Sequence, residues 1–376
     1  MAVARLSGQE VDPCLASIAI GHAVGEAFEG SAFGRTHFKQ ARHAMNGLVV
    51  GLGSIGRRHL RNLRQILPQA ELAVLRSSDR SHHEAPPMEA SRIVHSLDDA
   101  LRHEPQFAVI ASPAPFHVET ALRLAERGVH LCIEKPISDR MDRVQDLIGL
   151  CRQRGLVLMV AYNLRFAAPL RALREALMSG RIGRLLGLRI EAGQYLPDWR
   201  PNADYRQGVS ARRDLGGGAL LELSHEIDYA RWLAGDIVRV SADVRKLSNL
   251  EIDVEDCAEL TVNFASGALG SIHIDMLQRT PTRNCKLIGS EGTLTWDAIA
   301  NQVRLFSAET RVWEDLHSAQ SIDRNAMYVD ELAHFLDCLQ TGAAPLITGE
   351  DGRHALQVVL AAKRSAELQH PCEVES

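Results

Sequence analysis

The sequence predicts an α/β protein: an N-terminal domain with a parallel, doubly wound sheet, followed by a C-terminal α/β domain with an open, mostly antiparallel sheet. Three observations carry this. Short apolar runs alternate with amphipathic helical stretches between residues 46 and 162, the grammar of a sheet covered by helices on both faces. Gly51-Leu52-Gly53-Ser54-Ile55-Gly56 stands at the first strand-to-helix turn. Beyond about residue 166, several alternating strands follow one another with no helix between them, which calls for antiparallel pairing with one face packed and one face free.

Composition bounds the rest. A chain of 376 residues is long enough for two domains and buries enough surface to fold without a disulfide or metal staple. Hydrophobic residues make up 45% and charged residues 24%, which excludes disordered and fibrous classes. With 42 basic against 47 acidic side chains the net charge is −5, so no general attraction to nucleic acid or an anionic membrane is expected. No apolar run is long enough to span a bilayer. Seven cysteines without a CxxC pair suit a reducing compartment. The N-terminus lacks the basic lead of a signal peptide, and the expected location is the cytoplasm.

Residues 1–44 carry no convincing period and are expected to be a poorly ordered leader. The first strand is residues 48–50, and Leu60, Leu63 and Leu67 mark the apolar face of the helix after the glycine turn, closed by Pro68. Strands follow at 72–75, 107–111, 130–133 and 156–162. Between them lie a helix with Val118, Ala121, Leu122 and Ala125, stopped by Gly128, and one opened by Ser138 with Val144, Leu147, Ile148 and Cys151 on one face. The expected domains are therefore 45–165 and 166–376. The second holds helices at 170–178, 219–234, 328–340 and 352–368, with strands at 186–192, 238–244, 258–264, 268–276, 285–288, 292–296 and 303–306.

The glycine turn, between a strand and a helix, is the dinucleotide fingerprint of a Rossmann domain. Gly51 permits the tight turn, Gly53 lets backbone approach a pyrophosphate, and Gly56 lets helix pack on strand; Ser54 and Ile55 begin the helix whose N-terminus faces the phosphates. The second strand ends in Leu75-Arg76-Ser77, without the acidic residue that reads the ribose of NAD. Arg76 and Ser77 suit the 2′-phosphate of NADP, so NADP is favoured while NAD stays open.

Glu134-Lys135-Pro136 ends a parallel strand, on the edge where ligands bind in such sheets. A lysine there can hydrogen-bond a substrate hydroxyl beside a nicotinamide ring. Gly216-Gly217-Gly218 opens the helix that carries Glu222, His225, Asp228 and Tyr229. On a continuous helix 222, 225 and 229 share one face, while Leu223, Ile227, Ala230 and Ala234 form the core stripe. A histidine one turn from a carboxylate is a candidate proton acceptor. No cysteine or second histidine completes a ligand set with Glu222, His225 and Asp228, so no metal is expected. The loop 194–213 brings Tyr195, Asp198, Trp199, Arg200, Asp204, Tyr205 and Arg206. Aromatic faces with charged groups suit a polyhydroxylated ligand bearing an acidic or acylamino group.

Taken together, GLGSIG, Ala111-Ser112-Pro113 with His117, the EKP tripeptide, Asn163 with Arg165, and GGGALLELSHEID resemble the Gfo/Idh/MocA family of nicotinamide-dependent oxidoreductases, from about residue 46 almost to the C-terminus. The resemblance implies a Rossmann domain, an open sheet used for homo-oligomerisation as a dimer or tetramer, and chemistry on sugars or cyclitols. It implies catalytic roles for Lys135 and His225. It adds Ser112, Pro113, His117, Glu134 and Lys135 to the cofactor site, and Asn163, Arg165 and Asp228 to Tyr195, Trp199 and Arg206 on the substrate side. The family's catalytic Asp lies four residues before the histidine; here Glu222 lies three before. The peptide before Pro136 is often cis in the family.

The expected function is hydride transfer between NADP or NAD and a hydroxyl-bearing carbon of a sugar-like substrate. Two alternatives share the fold: an NAD-dependent glycosidase that oxidises its sugar transiently, and a non-catalytic dinucleotide-sensing regulator. The regulator would lack the lysine or the histidine, and both are present.

Overall fold

The computed structural model describes residues 45–76, 87–318 and 323–375. The leader, 1–44, and Ser77 lie outside them. The first sheet has six parallel strands in the order β3-β2-β1-β4-β5-β6, formed by β1 (Asn46–Val50), β2 (Glu71–Leu75), β3 (Arg92–Val94), β4 (Phe107–Ile110), β5 (His130–Glu134) and β6 (Leu158–Ala161). Successive residues face opposite ways, so both faces are apolar. Leu48, Ala108, Ile110 and Ile133 join one core, and Val49, Val74, Val109 and Cys132 join the other. Helices α1 (Ser54–Ile66), α2 (Leu97–Leu101), α3 (His117–Ala125) and α4 (Val144–Gln153) connect the strands. Strand order reverses between β1 and β4, so their C-terminal ends frame the crevice where such sheets bind ligands.

The second sheet has nine strands in the order β14-β13-β12-β11-β7-β10-β9-β8-β15. They are β7 (Leu185–Gly193), β8 (Ile237–Arg245), β9 (Cys257–Phe264), β10 (Leu269–Asp275), β11 (Thr282–Gly289), β12 (Gly292–Asp297), β13 (Gln302–Ser307), β14 (Trp313–Ser318) and β15 (Cys372–Glu373). Only β7 and β10 pair in parallel. Period-2 patterning is clear in β9, where Ala258, Leu260, Val262 and Phe264 are buried and Glu259, Thr261 and Asn263 are exposed. One face carries α5 (Ala168–Met178), α6 (Ala219–Glu222), α7 (His225–Ala234) and α9 (Gly349–Leu368); the other is open. Helix α8 (Ala326–Thr341) returns to the first sheet, burying Leu332, Phe335 and Leu336 in its core.

Two expected helices differ. Ser138 does not open α4, which starts at Val144 after Arg143 takes a left-handed backbone, φ 58°. The predicted helix 219–234 is broken in two. Leu223 leaves helical geometry at φ −101°, ψ 27°, and the Glu226 amide bonds Leu223 O at 3.2 Å instead of the Glu222 carbonyl that a continuous helix would use. The short β3, α2, β14 and β15 carry too few residues for a readable period.

Candidate active site

The glycine turn has the geometry a dinucleotide needs. Gly51 has φ +94°, and a Cβ there would lie 2.8 Å from Ala111 O. At Gly56 a Cβ would fall 2.1 Å from Gly51 O, so only glycine lets α1 sit this close to the strand exit. A Cβ on Gly53 would meet nothing within 4 Å. The N-terminus of α1 has no side-chain cap and no acidic residue in its first turn, so the amides of Ser54, Ile55 and Gly56 are left for an anion. The Ser112 hydroxyl, just after β4, is buried with no partner. This donor set fits a pyrophosphate with its ribose. Arg76 ends β2 largely buried, its amide bonded to Val94 O at 3.0 Å.

His117 ties two strand exits together: Nε2 lies 2.6 Å from Ser112 O and Nδ1 lies 3.0 Å from Pro136 O. Burial lowers its pKa against the pull of those carbonyls, so the neutral ring donates to one of them at a time. The Lys135–Pro136 peptide is cis. Glu134 is held from α1, where buried His59 places Nε2 2.6 Å from Glu134 Oε1. The other carboxylate oxygen accepts the Lys135 amide at 3.2 Å.

Lys135 then reaches across to the second sheet's helices. Its Nζ donates to the Glu222 carbonyl at 2.7 Å and lies 3.8 Å from Glu222 Oε2. The break between α6 and α7 makes this possible, because it frees the Glu222 carbonyl from helical bonding. His225 begins α7, its ring edge-on to Tyr162 with centroids 5.5 Å apart, and the Tyr162 hydroxyl donates to Ser224 Oγ at 3.4 Å. Nδ1 of His225 is buried without a partner. Burial, then Lys135, then Arg283 push the His225 pKa well below its ordinary value, so the ring is neutral and able to accept a proton at neutral pH.

The expected substrate residues divide. Asn163 is buried beside Tyr328 of α8, whose pKa it acts to lower against the larger effect of burial. Tyr195 lies under the Arg279 guanidinium, 3.5 Å from ring centroid to Cζ, and Trp199 donates Nε1–H to Gln194 O at 2.9 Å. Arg206 is spent on Asp204 and Glu251, at 2.9 and 2.6 Å. Arg165 and Asp228 face each other, with Nε–Oδ2 2.9 Å and Nη2–Oδ1 2.7 Å, and their side chains are 4% and 1% exposed. Read from sequence as ligand contacts, these two instead form a closed brace between the segment after β6 and α7. Tyr229, expected on a polar face, is fully buried. Among the described residues no His, Cys, Asp and Glu group is arranged to hold a metal.

Sequence reasoning missed His59, Tyr328, Glu226 and Arg283. Glu226 had one signal: a charged residue directly between His225 and core Ile227. Arg283 had none, since strand pairing brings it to α7.

Residues 45–162 match the family described as "Oxidoreductase family, NAD-binding Rossmann fold", and residues 170–295 match "GFO/IDH/MocA C-terminal domain". The chain is 28% identical to myo-inositol 2-dehydrogenase of Thermotoga maritima over 87% of this chain and 98% of that one. It is 27% identical to 1,5-anhydro-D-fructose reductase of Ensifer adhaerens over 71% and 79%. Levoglucosan dehydrogenase in complex with NADH shares the fold, with TM-score 0.78 at 22% identity over 89% of this chain and 100% of that one.

Proposed function

This chain belongs to the Gfo/Idh/MocA family of oxidoreductases, and from that premise we propose that it transfers a hydride between a nicotinamide cofactor and a hydroxyl-bearing carbon of a sugar, sugar derivative or cyclitol. The observation that carries the reading is the reach of Lys135, at the end of β5, to Glu222 of α6, three residues before His225, at 2.7 Å between Lys135 Nζ and Glu222 O. When bound, the nicotinamide ring supplies the hydride acceptor or donor. In the oxidation direction His225 Nε2 takes the hydroxyl proton, and Lys135 Nζ hydrogen-bonds the same oxygen as negative charge develops on it. Glu222 keeps Lys135 in place through its carbonyl, a role different from that of the family's Asp. Asn163 and Tyr328 border the site and orient the substrate. The dehydrogenases and reductase named above support the substrate class.

NADP is proposed over NAD on Arg76 and Ser77. A homo-oligomer, dimer or tetramer, is proposed through the open face of the second sheet. There Arg189, Lys286 and Arg304 share one cross-strand row, and Glu191, Glu259 and Asp243 share the next, a pattern that a two-fold copy can pair with itself. The division at residue 165/166 and a cytoplasmic location complete the proposal; the latter is supported by free thiols at Cys132, Cys151, Cys257, Cys285, Cys338 and Cys372. No helix among the described residues is long and apolar enough to cross a membrane.

The test is to denature the purified protein, identify released nucleotide by mass spectrometry, and titrate emptied protein with NADH and NADPH. Reversible binding, tighter for NADPH, is the expected result; binding of neither contradicts the proposal. Stoichiometric NAD that survives purification points to the glycosidase cycle instead.

A further inference from the structure

The cleft holds a cation that the proposed chemistry does not use. Arg283 stands on β11 opposite Ala192 of β7, whose side chain is buried on the helix-covered face of the sheet. Its Nε lies 2.8 Å from Glu226 Oε1; the Glu226 side chain is 0% exposed while that of Arg283 keeps 27%. The guanidinium is thus backed by a buried carboxylate, while part of the Arg283 side chain stays exposed. Nε and both Glu226 oxygens are buried without a hydrogen bond, so the contact is an ion pair, and Glu226 is the one acidic partner of this guanidinium among the described residues. Glu226 directly follows His225 at the start of α7, so the Glu226–Arg283 pair lies beside the candidate base, whose pKa the charges of Lys135 and Arg283 both lower. A second guanidinium, that of Arg279, lies on the connection into the same strand, flat on Tyr195. That connection is fixed by the Tyr195 amide bonding Gln278 O at 2.6 Å.

We propose that Arg283 anchors the substrate through the exposed part of its side chain, and that the substrate class is an acidic sugar or cyclitol, one carrying a carboxylate. This deepens the oxidoreductase reading and rests on it. The planar fork of Nη1 and Nη2 matches two carboxylate oxygens. Glu226 holds the fork before substrate arrives, so little ordering is left to do on binding.

The test titrates NADH-saturated protein by calorimetry, at one ionic strength, with D-glucuronate, D-galacturonate, their neutral amides and D-glucose 6-phosphate. At least one uronate is expected to bind about tenfold or more tightly than its amide, the scale of a charge-assisted hydrogen-bond pair. Arg283→Gln is expected to remove that gap without changing NADH affinity, and Arg283→Lys to restore part of it. Because Arg283→Gln strands Glu226, the paired Glu226→Gln/Arg283→Gln variant serves as the neutral, packing-matched control, and it too should lack the gap. Equal binding of acid and amide, tighter binding of the phosphate, no uronate binding, or a gap that survives in both variants overturns the proposal. Wild-type protein that binds no NADH removes the oxidoreductase reading instead, and the acid-over-amide gap remains measurable without nucleotide.

Discussion

Helix α7 carries two buried carboxylates two residues apart, and each meets an arginine from elsewhere in the chain. Asp228 and Arg165 close on each other through two hydrogen bonds with almost no exposed surface. Arg165 also reaches Asp351 at 3.3 Å. Glu226 and Arg283 meet at Nε, 2.8 Å apart, and the arginine side chain stays partly exposed. Both pairs carry a cost of desolvation, but only one leaves hydrogen-bonding capacity unspent. The first fixes α7 against the segment that follows the Rossmann sheet. The second presents charge to the cleft beside His225.

The largest difference should appear in stability. Asp228→Ala removes two hydrogen bonds from an enclosed guanidinium and leaves it Asp351 at 3.3 Å, and is expected to cost about 3–5 kcal/mol in urea unfolding. Glu226→Gln should cost less than half of that, because the Arg283 side chain keeps 27% of its surface exposed and can reach water. Equal losses would abolish the distinction between brace and presenter. A smaller effect separates Arg165→Lys from Arg283→Lys. A lysine cannot reproduce the two-bond fork, so the first should lose about 1.5–3 kcal/mol and the second much less.

Acid titration sharpens the brace further. The Asp351 pKa is lowered: burial raises it, but Arg165 and the Thr348 hydrogen bonds lower it more. A carboxylate with a depressed folded pKa contributes stability above its unfolded value, and that contribution is lost as pH falls through the folded one. Thermal melts from pH 6 to pH 3 should therefore fall more steeply for the wild type than for Asp351→Asn; parallel curves would remove Asp351 from the brace. On the presenting side, Arg283 depresses His225. Arg283→Gln should move the acid limb of the turnover profile to higher pH, and an unmoved limb would place Arg283 outside the field of the base.

Legibility followed locality. The glycine turn and the EKP strand end are contiguous and sit at fixed points of the β/α pattern, so their chemistry could be read directly. The helix break could not, because Leu220, Leu223 and Ile227 keep a helical period straight through residues 223 and 224. Arg165 and Asp228 are 63 residues apart, and sequence showed two polar groups near a site without showing that they saturate each other. Arg206 misled in the same way, since the acids that occupy it, Asp204 and Glu251, come from a local turn and a distant loop. Arg283 lay in a strand whose register alone brings it to Glu226.

The most direct measurement is turnover of NAD⁺ and NADP⁺ with a panel of sugars, uronates and cyclitols by wild type, Lys135→Ala and His225→Ala, alongside NADH affinity of each. Wild type should reduce cofactor with at least one member. Both variants should lose about 10²–10⁴-fold in turnover while binding NADH within severalfold of wild type. Undiminished turnover in either variant would contradict a reaction centre built where Lys135 meets the second sheet.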